Sequence, residues 1–358
     1  MPIRQGEFTN MKKRMPVSAF DIPVDIIKSG FYTDAYFLRT AEILNASNHH
    51  PKVLMQVFQR QHCVLCGIDE SIALLKTCSN GPLQIKALHD GDQVEPWETV
   101  MTIEGDLADF THLETLFLGV LARQSKIATN VRHIVKAAGN KTVLFFGARY
   151  DYYTLQKSDS YAIKIGGDIG VSTDANGYYS DKKGLGTIPH ALIATFGKDT
   201  LAATLAFDKY IDPAKSRVAL VDFDNDCVNT SLTVARKLGK KLYAVRLDTS
   251  NNLVDKSIIA QMGMFSPTGV CKELVRNVRQ ALDAEGFEHV KIMVSGGFDV
   301  ERIMEFEKLA IPVDVYAVGS SFYKNNIDFT ADIVLVDDKP AAKIGRIFKP
   351  NPKLQEVL

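Results

Sequence analysis

Short apolar runs alternate with helical patterns through the last two thirds of the chain, and each apolar run ends in polar or glycine residues. In 242–252, LYAV predicts a buried strand that leads directly into RLDTSNN. The predicted strands are 142–147, 217–221, 242–247, 290–295 and 313–318, and the predicted helices are 158–166, 189–209, 226–238, 268–285 and 299–309. Strands that alternate with helices indicate a parallel sheet.

The polar ends of these five strands predict a single shared site, because ligands collect at the carboxyl ends of parallel strands. A doubly wound sheet would place its ligand at one switch point in the strand order. Contributions from at least five strands instead favour a parallel α/β barrel.

The first third of the chain has short mixed elements: a helix after a loop in 31–44 with Thr33 or Asp34 as its cap, a strand at 52–58, a helix at 67–78, and two strands around Pro96. The longest helical pattern, 111–138, starts with Thr111 and Glu114 at the spacing of a capping box.

The tail predicts two short strands joined by a hairpin turn at 337–340, which we expect to return to the N-terminal layer. The predicted domains are therefore an N-terminal α/β domain at 1–110, a barrel domain at 111–330 and a returning C-terminal segment at 331–358.

The length of the chain is sufficient for a large hydrophobic core, and its composition limits the possible functions only a little further. The 358 residues carry 42 basic and 42 acidic side chains, so no global basic field indicates nucleic acid. No apolar run approaches the roughly 18 residues of a membrane span, and the N-terminus has charges without an apolar signal core. We expect a cytoplasmic protein that binds neither nucleic acid nor membrane.

Cys63 and Cys66 have CxxC spacing beside His62, which is compatible with zinc. A second closely spaced pair is missing, and a helical pattern follows at once. We favour buried structural thiols over a metal site.

Two strand ends carry glycine turns, Gly296 with Gly297 and Gly319 with Ser320. Glycine lets backbone N–H groups approach an anion, so the pair predicts a phosphate site, with two ordinary tight turns as the alternative. The acidic ends, chiefly Asp222 and Asp248, suit ribose hydroxyls or Mg²⁺, with helix capping as the alternative. Asp226 is the residue that best fits a cap.

Arg149 and Arg246 also lie at strand ends, where a guanidinium can bind a carboxylate or a phosphate through two bonds. Pairing with Asp248 is an equally good interpretation for Arg246, whereas we favour a ligand for Arg149. His190 follows a glycine-rich loop in which Thr187 is a possible cap. Its candidate roles are base, phosphate acceptor and core residue, and the residues alone favour the core.

Together these segments resemble the nicotinate phosphoribosyltransferase family of type II phosphoribosyltransferases. The segments are SGFYTDAYF at 29–37, SKIAT at 125–129, FGARY at 146–150, GLGTIPHAL at 184–192, VDFDND at 221–226, VRLDTSNN at 245–252, VSGGFD at 294–299 and AVGSSF at 317–322. They occur in the family's order over nearly the whole chain, although many members have RLDSGD in place of RLDTSN.

The resemblance implies an irregular α/β barrel with a smaller α/β sandwich domain, assembled as a homodimer. It implies the synthesis of nicotinate mononucleotide from nicotinate and phosphoribosyl pyrophosphate, with Mg²⁺ as cofactor and ATP as co-substrate.

The resemblance also implies roles for individual residues. Tyr32 and Asp34 would form part of the base pocket, and Arg149 would hold the nicotinate carboxylate. Asp222 and Asp248 would contact ribose or metal, and His190 would be phosphorylated by ATP. The substrate-binding set further includes Thr187, Arg246, Ser295, Gly296, Gly297, Gly319 and Ser320.

Three alternatives remain open from the sequence. A quinolinate enzyme needs more Arg, Lys and His around the base, to neutralise two carboxylates. A nicotinamide enzyme needs no carboxylate partner. A non-catalytic phosphosugar-binding protein has no need of Asp222 and Asp248, whose presence counts against it.

Overall fold

A computed structural model of the chain describes residues 13–263 and 265–357, which form two compact units. The barrel unit comprises His133–Ser160 and Ile169–Tyr323. The sandwich unit comprises the described chain up to Arg132, Tyr161–Asp168 and the segment from Lys324. Most of the N-terminal segment considered above for a targeting signal lies outside the described residues. Within the described ranges, no helix has the length and apolar character needed to cross a membrane.

The strands, in chain order, are β1 (Lys52–Gln59), β2 (Cys63–Val64), β3 (Gln84–Ala87), β4 (Gln93–Val94), β5 (Thr99–Asp106), β6 (Thr142–Phe145), β7 (Gly170–Val171), β8 (Arg217–Leu220), β9 (Leu242–Leu247), β10 (Lys291–Val294), β11 (Val315–Val318), β12 (Phe329–Val336), β13 (Lys339–Pro340) and β14 (Gln355–Glu356). The α-helices are α1 (Val24–Lys28), α2 (Ala35–Ala46), α3 (Ile68–Cys78), α4 (Leu107–Phe110), α5 (Glu114–Ala138), α6 (Gln156–Gly166), α7 (His190–Thr195), α8 (Thr200–Tyr210), α9 (Cys227–Leu238), α10 (Lys272–Ala284) and α11 (Val300–Lys308).

The barrel unit is built on one six-stranded parallel sheet in the order β7-β6-β11-β10-β9-β8. All five predicted strands belong to it, and β7 is a sixth strand that the hydrophobic pattern missed because it is only two residues long. The sheet curls into a half barrel, so the predicted class, an α/β barrel with a smaller α/β sandwich domain, is confirmed.

Alternation along each strand separates the two faces of this sheet. Val245, Leu247, Ile292 and Val294 on one face are fully buried. On the other face, alternate positions pass from small apolar side chains to polar ones, as in Ala244, Arg246 and Asp248 of β9 and the segment after it. The polar strand ends therefore point to the same side, as the sequence pattern predicted.

The helix predicted at 189–209 is wrong in one respect, because it is two helices, α7 and α8. Gly197 and Lys198 between them have φ angles of 65° and 70°, which are incompatible with a right-handed helix. The Asp199 side chain then caps α8 by accepting a hydrogen bond from the backbone N–H of Ala202. His190 thereby becomes the first residue of a short separate helix.

The sandwich unit contains a six-stranded sheet in the order β13-β12-β1-β5-β3-β14. Strand β12 pairs with β1, and Asp337 and Asp338 form the two-residue turn to β13 with positive φ angles, as hairpin turns require. The tail strand β12 thus lies in the same sheet as the N-terminal strand β1. The tail also supplies β14, which pairs with β3 and was not predicted.

Of the two predicted helix caps, one is confirmed in position and the other is wrong. Asp34 occupies the N-cap position of α2 but makes no side-chain capping bond, and its carboxylate accepts from the hydroxyl of Thr115 at 2.9 Å. Helix α5 begins at Glu114 rather than Thr111, because residues Thr111–Leu113 form a 3-10 turn and no capping box is made.

Cys63 and Cys66 both lie in the core of the sandwich unit, at 3% and 0% exposure. Burial raises the pKa of Cys63 to about 12 and that of Cys66 well above its usual value, so both thiols stay protonated at neutral pH. Their interpretation as buried structural side chains is confirmed.

Candidate active site

A cavity of about 460 Å³ opens at the carboxyl ends of the barrel strands. Nine of the residues singled out from the sequence line it: Arg149, His190, Arg246, Asp248, Ser295, Gly296, Gly297, Gly319 and Ser320. The ends of all six strands of the parallel sheet and the loop before α7 contribute to these walls. A cavity of this size accommodates a small polar ligand.

Arg246 is the centre of a polar network on the floor of the cavity. It donates to a carboxylate oxygen of Asp248 at 2.7 Å, to the hydroxyl of Ser295 at 3.0 Å and to the hydroxyl of Thr187 at 3.1 Å. The other oxygen of Asp248 accepts from Ser295 at 2.6 Å. Thr187 therefore does not cap α7, whose preceding residue is Pro189, but holds Arg246.

These bonds fix the carboxylate of Asp248 at the cavity wall. Arg246 was a candidate either to bind a ligand or to pair with Asp248. The structure shows the pairing with Asp248, and the arginine also lines the cavity. Each oxygen of Asp248 keeps further acceptor capacity, which a substrate hydroxyl can use.

His190 and Asp222 form a second pair beside the first. The Nε2 of His190 lies 3.0 and 2.9 Å from the two carboxylate oxygens of Asp222. The histidine side chain is 44% exposed and the aspartate 8% exposed, so the histidine faces the cavity and the carboxylate lies behind it. The core interpretation of His190 is therefore wrong.

Burial raises the pKa of Asp222, and the nearby charge of Asp248 adds to the rise, while His190 opposes it. In the neutral form of the ring, a carboxylate that accepts the Nε2 proton leaves the lone pair on Nδ1. This is the arrangement of a histidine held in one tautomer by a carboxylate.

Both glycine turns present unclaimed backbone donors to the cavity. Gly296 and Gly297 have φ angles of 84° and 82°, which only glycine adopts at little cost. Within the described ranges, no acceptor pairs with the N–H groups of Gly296, Gly297, Gly319 or Ser320. Such a group of free N–H donors is able to bind an anion.

At Gly319, lack of space rather than the φ angle excludes a side chain. A side-chain carbon at this position would lie 2.5 Å from the ring of Tyr150 and 3.3 Å from the carbonyl oxygen of Phe146. The ring of Tyr150 therefore packs directly on the backbone of the second turn and forms part of the cavity wall.

Arg149 lies on the short 3-10 turn Ala148–Tyr150 after β6 and is exposed at the cavity. In the part of the chain that the structure describes, it forms no hydrogen bond or ion pair with a protein group. Arg246, by contrast, is already neutralised by Asp248. Arg149 is thus a cation at the cavity wall whose hydrogen-bond donors are not used by the described protein groups.

Two predicted residues, Tyr32 and Asp34, are not brought to this cavity. They lie in the sandwich unit, at the start of α2, and Tyr32 is 52% exposed there. The lining of the cavity comes from the barrel unit alone.

Several lining residues were not singled out from the sequence, notably Phe146, Ser172, Tyr150 and Phe298. The guanidinium of Arg246 lies 5.5 Å from the centre of the Phe146 ring. Strand alternation could have identified Phe146, which is two residues beyond the inward-facing Leu144. Ser172 follows β7, which is too short to be recognised from its pattern.

Comparison with known proteins agrees with this architecture. The family model of the quinolinate phosphoribosyl transferase N-terminal domain matches residues 34–125. A crystal structure of nicotinate-nucleotide pyrophosphorylase from Pyrococcus furiosus is 36% identical with a TM-score of 0.80, and the match covers 94% of this chain and 85% of that one.

Curated sequences are more distant. Nicotinate phosphoribosyltransferase of Bacillus subtilis is 23% identical, over 89% of this chain and 66% of the relative. The probable nicotinate-nucleotide pyrophosphorylase (carboxylating) of Methanocaldococcus jannaschii is 24% identical, over 77% and 84% of the two chains. The chain thus spans slightly less than two thirds of the Bacillus relative.

Fold and cavity together define an α/β barrel protein whose strand ends bring free backbone N–H donors and the carboxylate of Asp248 to one cavity. The extensive match to the Pyrococcus structure makes the assignment more specific: this chain belongs to the type II phosphoribosyltransferase family.

Proposed function

We propose that the protein is a nicotinate phosphoribosyltransferase, which joins nicotinate to phosphoribosyl pyrophosphate and releases nicotinate mononucleotide and pyrophosphate in NAD biosynthesis. The observation that carries the proposal is Arg149, a cation without a protein partner among the described residues, in the same cavity as two turns of free N–H donors. One free guanidinium matches one ring carboxylate.

The other groups fit the displacement at the anomeric carbon of ribose. The free N–H groups of the two glycine turns would hold the 5′-phosphate. Asp248 would accept bonds from ribose hydroxyls and face the positive charge that develops on the ring as pyrophosphate leaves. The pyridine nitrogen then forms the new bond to the anomeric carbon, and the bond to pyrophosphate breaks.

Mg²⁺ is part of this proposal, and it prefers oxygen ligands such as carboxylates, phosphates and water. Asp248 already accepts from Arg246 and Ser295, and Asp222 accepts from His190. No group of three or more His, Cys, Asp or Glu side chains within the described ranges is arranged to hold an ion. These residues fit an ion that is carried mainly by pyrophosphate, with Asp248, the aspartate that lines the cavity, adding a ligand; the carboxylate of Asp222, which lies behind His190, is less well placed to do so. Bound there, Mg²⁺ would neutralise charge on the leaving group.

His190 supports coupling to ATP hydrolysis. Asp222 contacts its Nε2, so in the neutral ring Nδ1 would carry the lone pair, and the side chain faces the cavity. Nδ1 would attack the γ-phosphoryl group of ATP, ADP would leave, and the phosphohistidine would later be hydrolysed.

We also propose a homodimer, because helix α2 of the sandwich unit is exposed. This helix has no buried residue, and its Tyr36 and Ile43 are 58% and 64% exposed. Phe31, which precedes the helix, is 76% exposed. A second copy would cover these apolar side chains and the adjacent Tyr32. Light scattering should give twice the chain mass for the wild type and the single-chain mass for Ile43→Asp; a monomeric wild type would contradict the proposal.

The quinolinate enzyme is the second candidate, because the 36% identical structure and the archaeal relative are named nicotinate-nucleotide pyrophosphorylases. It would have to neutralise two adjacent carboxylates. Among the residues that line the cavity, Arg149, His190 and Arg246 are the basic ones, and the last two are paired with aspartates.

A base panel distinguishes these functions. Purified protein with phosphoribosyl pyrophosphate and Mg²⁺ should form a mononucleotide from nicotinate, and not from quinolinate or nicotinamide. ATP should increase turnover in the wild type and leave His190→Ala unchanged. No product from any base would remove the enzyme proposal, and an ATP response retained by His190→Ala would remove the phosphohistidine.

A further inference from the structure

Arg302 forms hydrogen bonds with the backbone of the first glycine turn, Gly296 and Gly297, and with the backbone at Val270. The residue lies in the first turn of α11, and its guanidinium donates to the carbonyl oxygen of Gly296 at 3.1 Å and to that of Val270 at 2.8 Å. The guanidinium also lies 4.3 Å from the centre of the Phe298 ring. Arg302 does not line the active-site cavity, so it reaches the turn from the opposite side.

This contact determines the direction of a donor. The carbonyl of Gly296 and the N–H of Gly297 belong to the same peptide group, which is planar and trans. The two bonds of a trans peptide point in opposite directions. A carbonyl held by Arg302 behind the turn therefore directs the N–H of Gly297 to the front, where both glycines line the cavity.

The turn needs such support because two successive glycines have the largest choice of backbone conformations. The Gly296–Gly297 peptide could rotate and present its carbonyl oxygen to the cavity, which would repel an anion. A second side chain acts nearby in the same way, since the hydroxyl of Ser321 donates to the carbonyl of Phe298 at 2.9 Å.

We propose that Arg302 is a positioning residue for phosphate binding: it holds the Gly296 carbonyl away from the cavity and so keeps the Gly297 N–H aimed at the phosphate group of the substrate. The proposal rests on the proposed function for the identity of the substrate. Arg302 should therefore affect the affinity for phosphate-bearing ligands alone, although it does not line the active-site cavity.

The test compares Arg302→Met with the wild type, using ribose 5-phosphate as a ligand in calorimetry. Methionine keeps much of the apolar stem and removes both donors. We expect affinity for ribose 5-phosphate to fall about tenfold, with the KM for phosphoribosyl pyrophosphate rising to a similar extent and the KM for nicotinate changing less than about twofold. Arg302→Lys retains a donor for Gly296 and should stay within about threefold of the wild type.

Arg279 offers a matched control in the barrel unit. It lies on α10 and likewise donates to two backbone carbonyls, of Val290 at 2.6 Å and Phe287 at 2.9 Å, but it does not line the active-site cavity. Arg279→Met should lose a comparable amount of thermal stability and keep its affinity for ribose 5-phosphate.

Each outcome decides the proposal separately from the proposed function. Unchanged ribose 5-phosphate affinity in folded Arg302→Met, equal losses in both methionine variants, or no binding by the wild type would each overturn the positioning role. If no base gives turnover, the proposed function fails, and the binding comparison still tests Arg302. If Arg302→Met does not fold, the comparison is made with Arg302→Lys, whose affinity should then fall measurably, by up to threefold, while Arg279→Lys remains unchanged.

Discussion

Replacing Arg149 with alanine is expected to raise the KM for nicotinate about 100-fold, a loss of about 2.7 kcal/mol in binding, and to leave the KM for phosphoribosyl pyrophosphate within about twofold. The guanidinium has no protein partner among the described residues, so its removal leaves no buried carboxylate uncompensated. The loss should therefore fall on the ligand that carries a ring carboxylate.

Initial rates measured while each substrate is varied in turn provide the test. Arg149→Lys keeps the charge without the paired geometry and should fall between the wild type and the alanine variant. Arg236→Ala is the control, because Arg236 is an exposed arginine of the same unit that pairs with Glu285 away from the cavity. Equal increases in both KM values for Arg149→Ala would show that Arg149 does not hold the base.

Replacing Asp248 with asparagine is expected to lower kcat about 100-fold, with a much smaller effect on the KM for either substrate. Asparagine keeps the shape of the side chain but removes the negative charge that faces the developing cation on ribose. It also leaves Arg246 without its 2.7 Å carboxylate partner, so the positive charge of the arginine is no longer balanced at the cavity floor.

Asp226→Asn provides the comparison for this effect. Asp226 caps α9 by accepting from the backbone N–H of Asn229 and does not line the cavity, so its kcat should stay within about twofold of the wild type. The measurement is kcat under saturating substrates, with circular dichroism to confirm folding. A full rate in Asp248→Asn would remove the proposed electrostatic role.

Strand alternation carried most of the information that was available from the sequence. Asp248, Ser295 and Gly319 each end or follow a strand whose apolar residues are regular enough to recognise, so their shared edge of the sheet followed from topology. The capping role of Asp226 was also predicted, because an aspartate directly before a helical pattern has few other uses.

Contacts between distant segments could not be predicted in this way. Thr187 was a possible cap for α7, yet its hydroxyl accepts a hydrogen bond from Arg246, which lies 59 positions further along the chain. Arg302 belongs to an ordinary amphipathic helix and has no sequence feature that marks its bond to Gly296. The break between α7 and α8 depends on left-handed backbone at Gly197 and Lys198, and lysine at such a position is unusual.

The choice of base is tested most directly by competition between nicotinate labelled in its carboxyl carbon and quinolinate labelled in its 2-carboxyl carbon, at equal concentration with phosphoribosyl pyrophosphate, Mg²⁺ and ATP. One unpaired arginine in the cavity predicts that nicotinate is used: its label should appear in the mononucleotide, with no labelled CO₂ from quinolinate. Labelled CO₂, with little label in the mononucleotide, would contradict the account and identify a quinolinate enzyme.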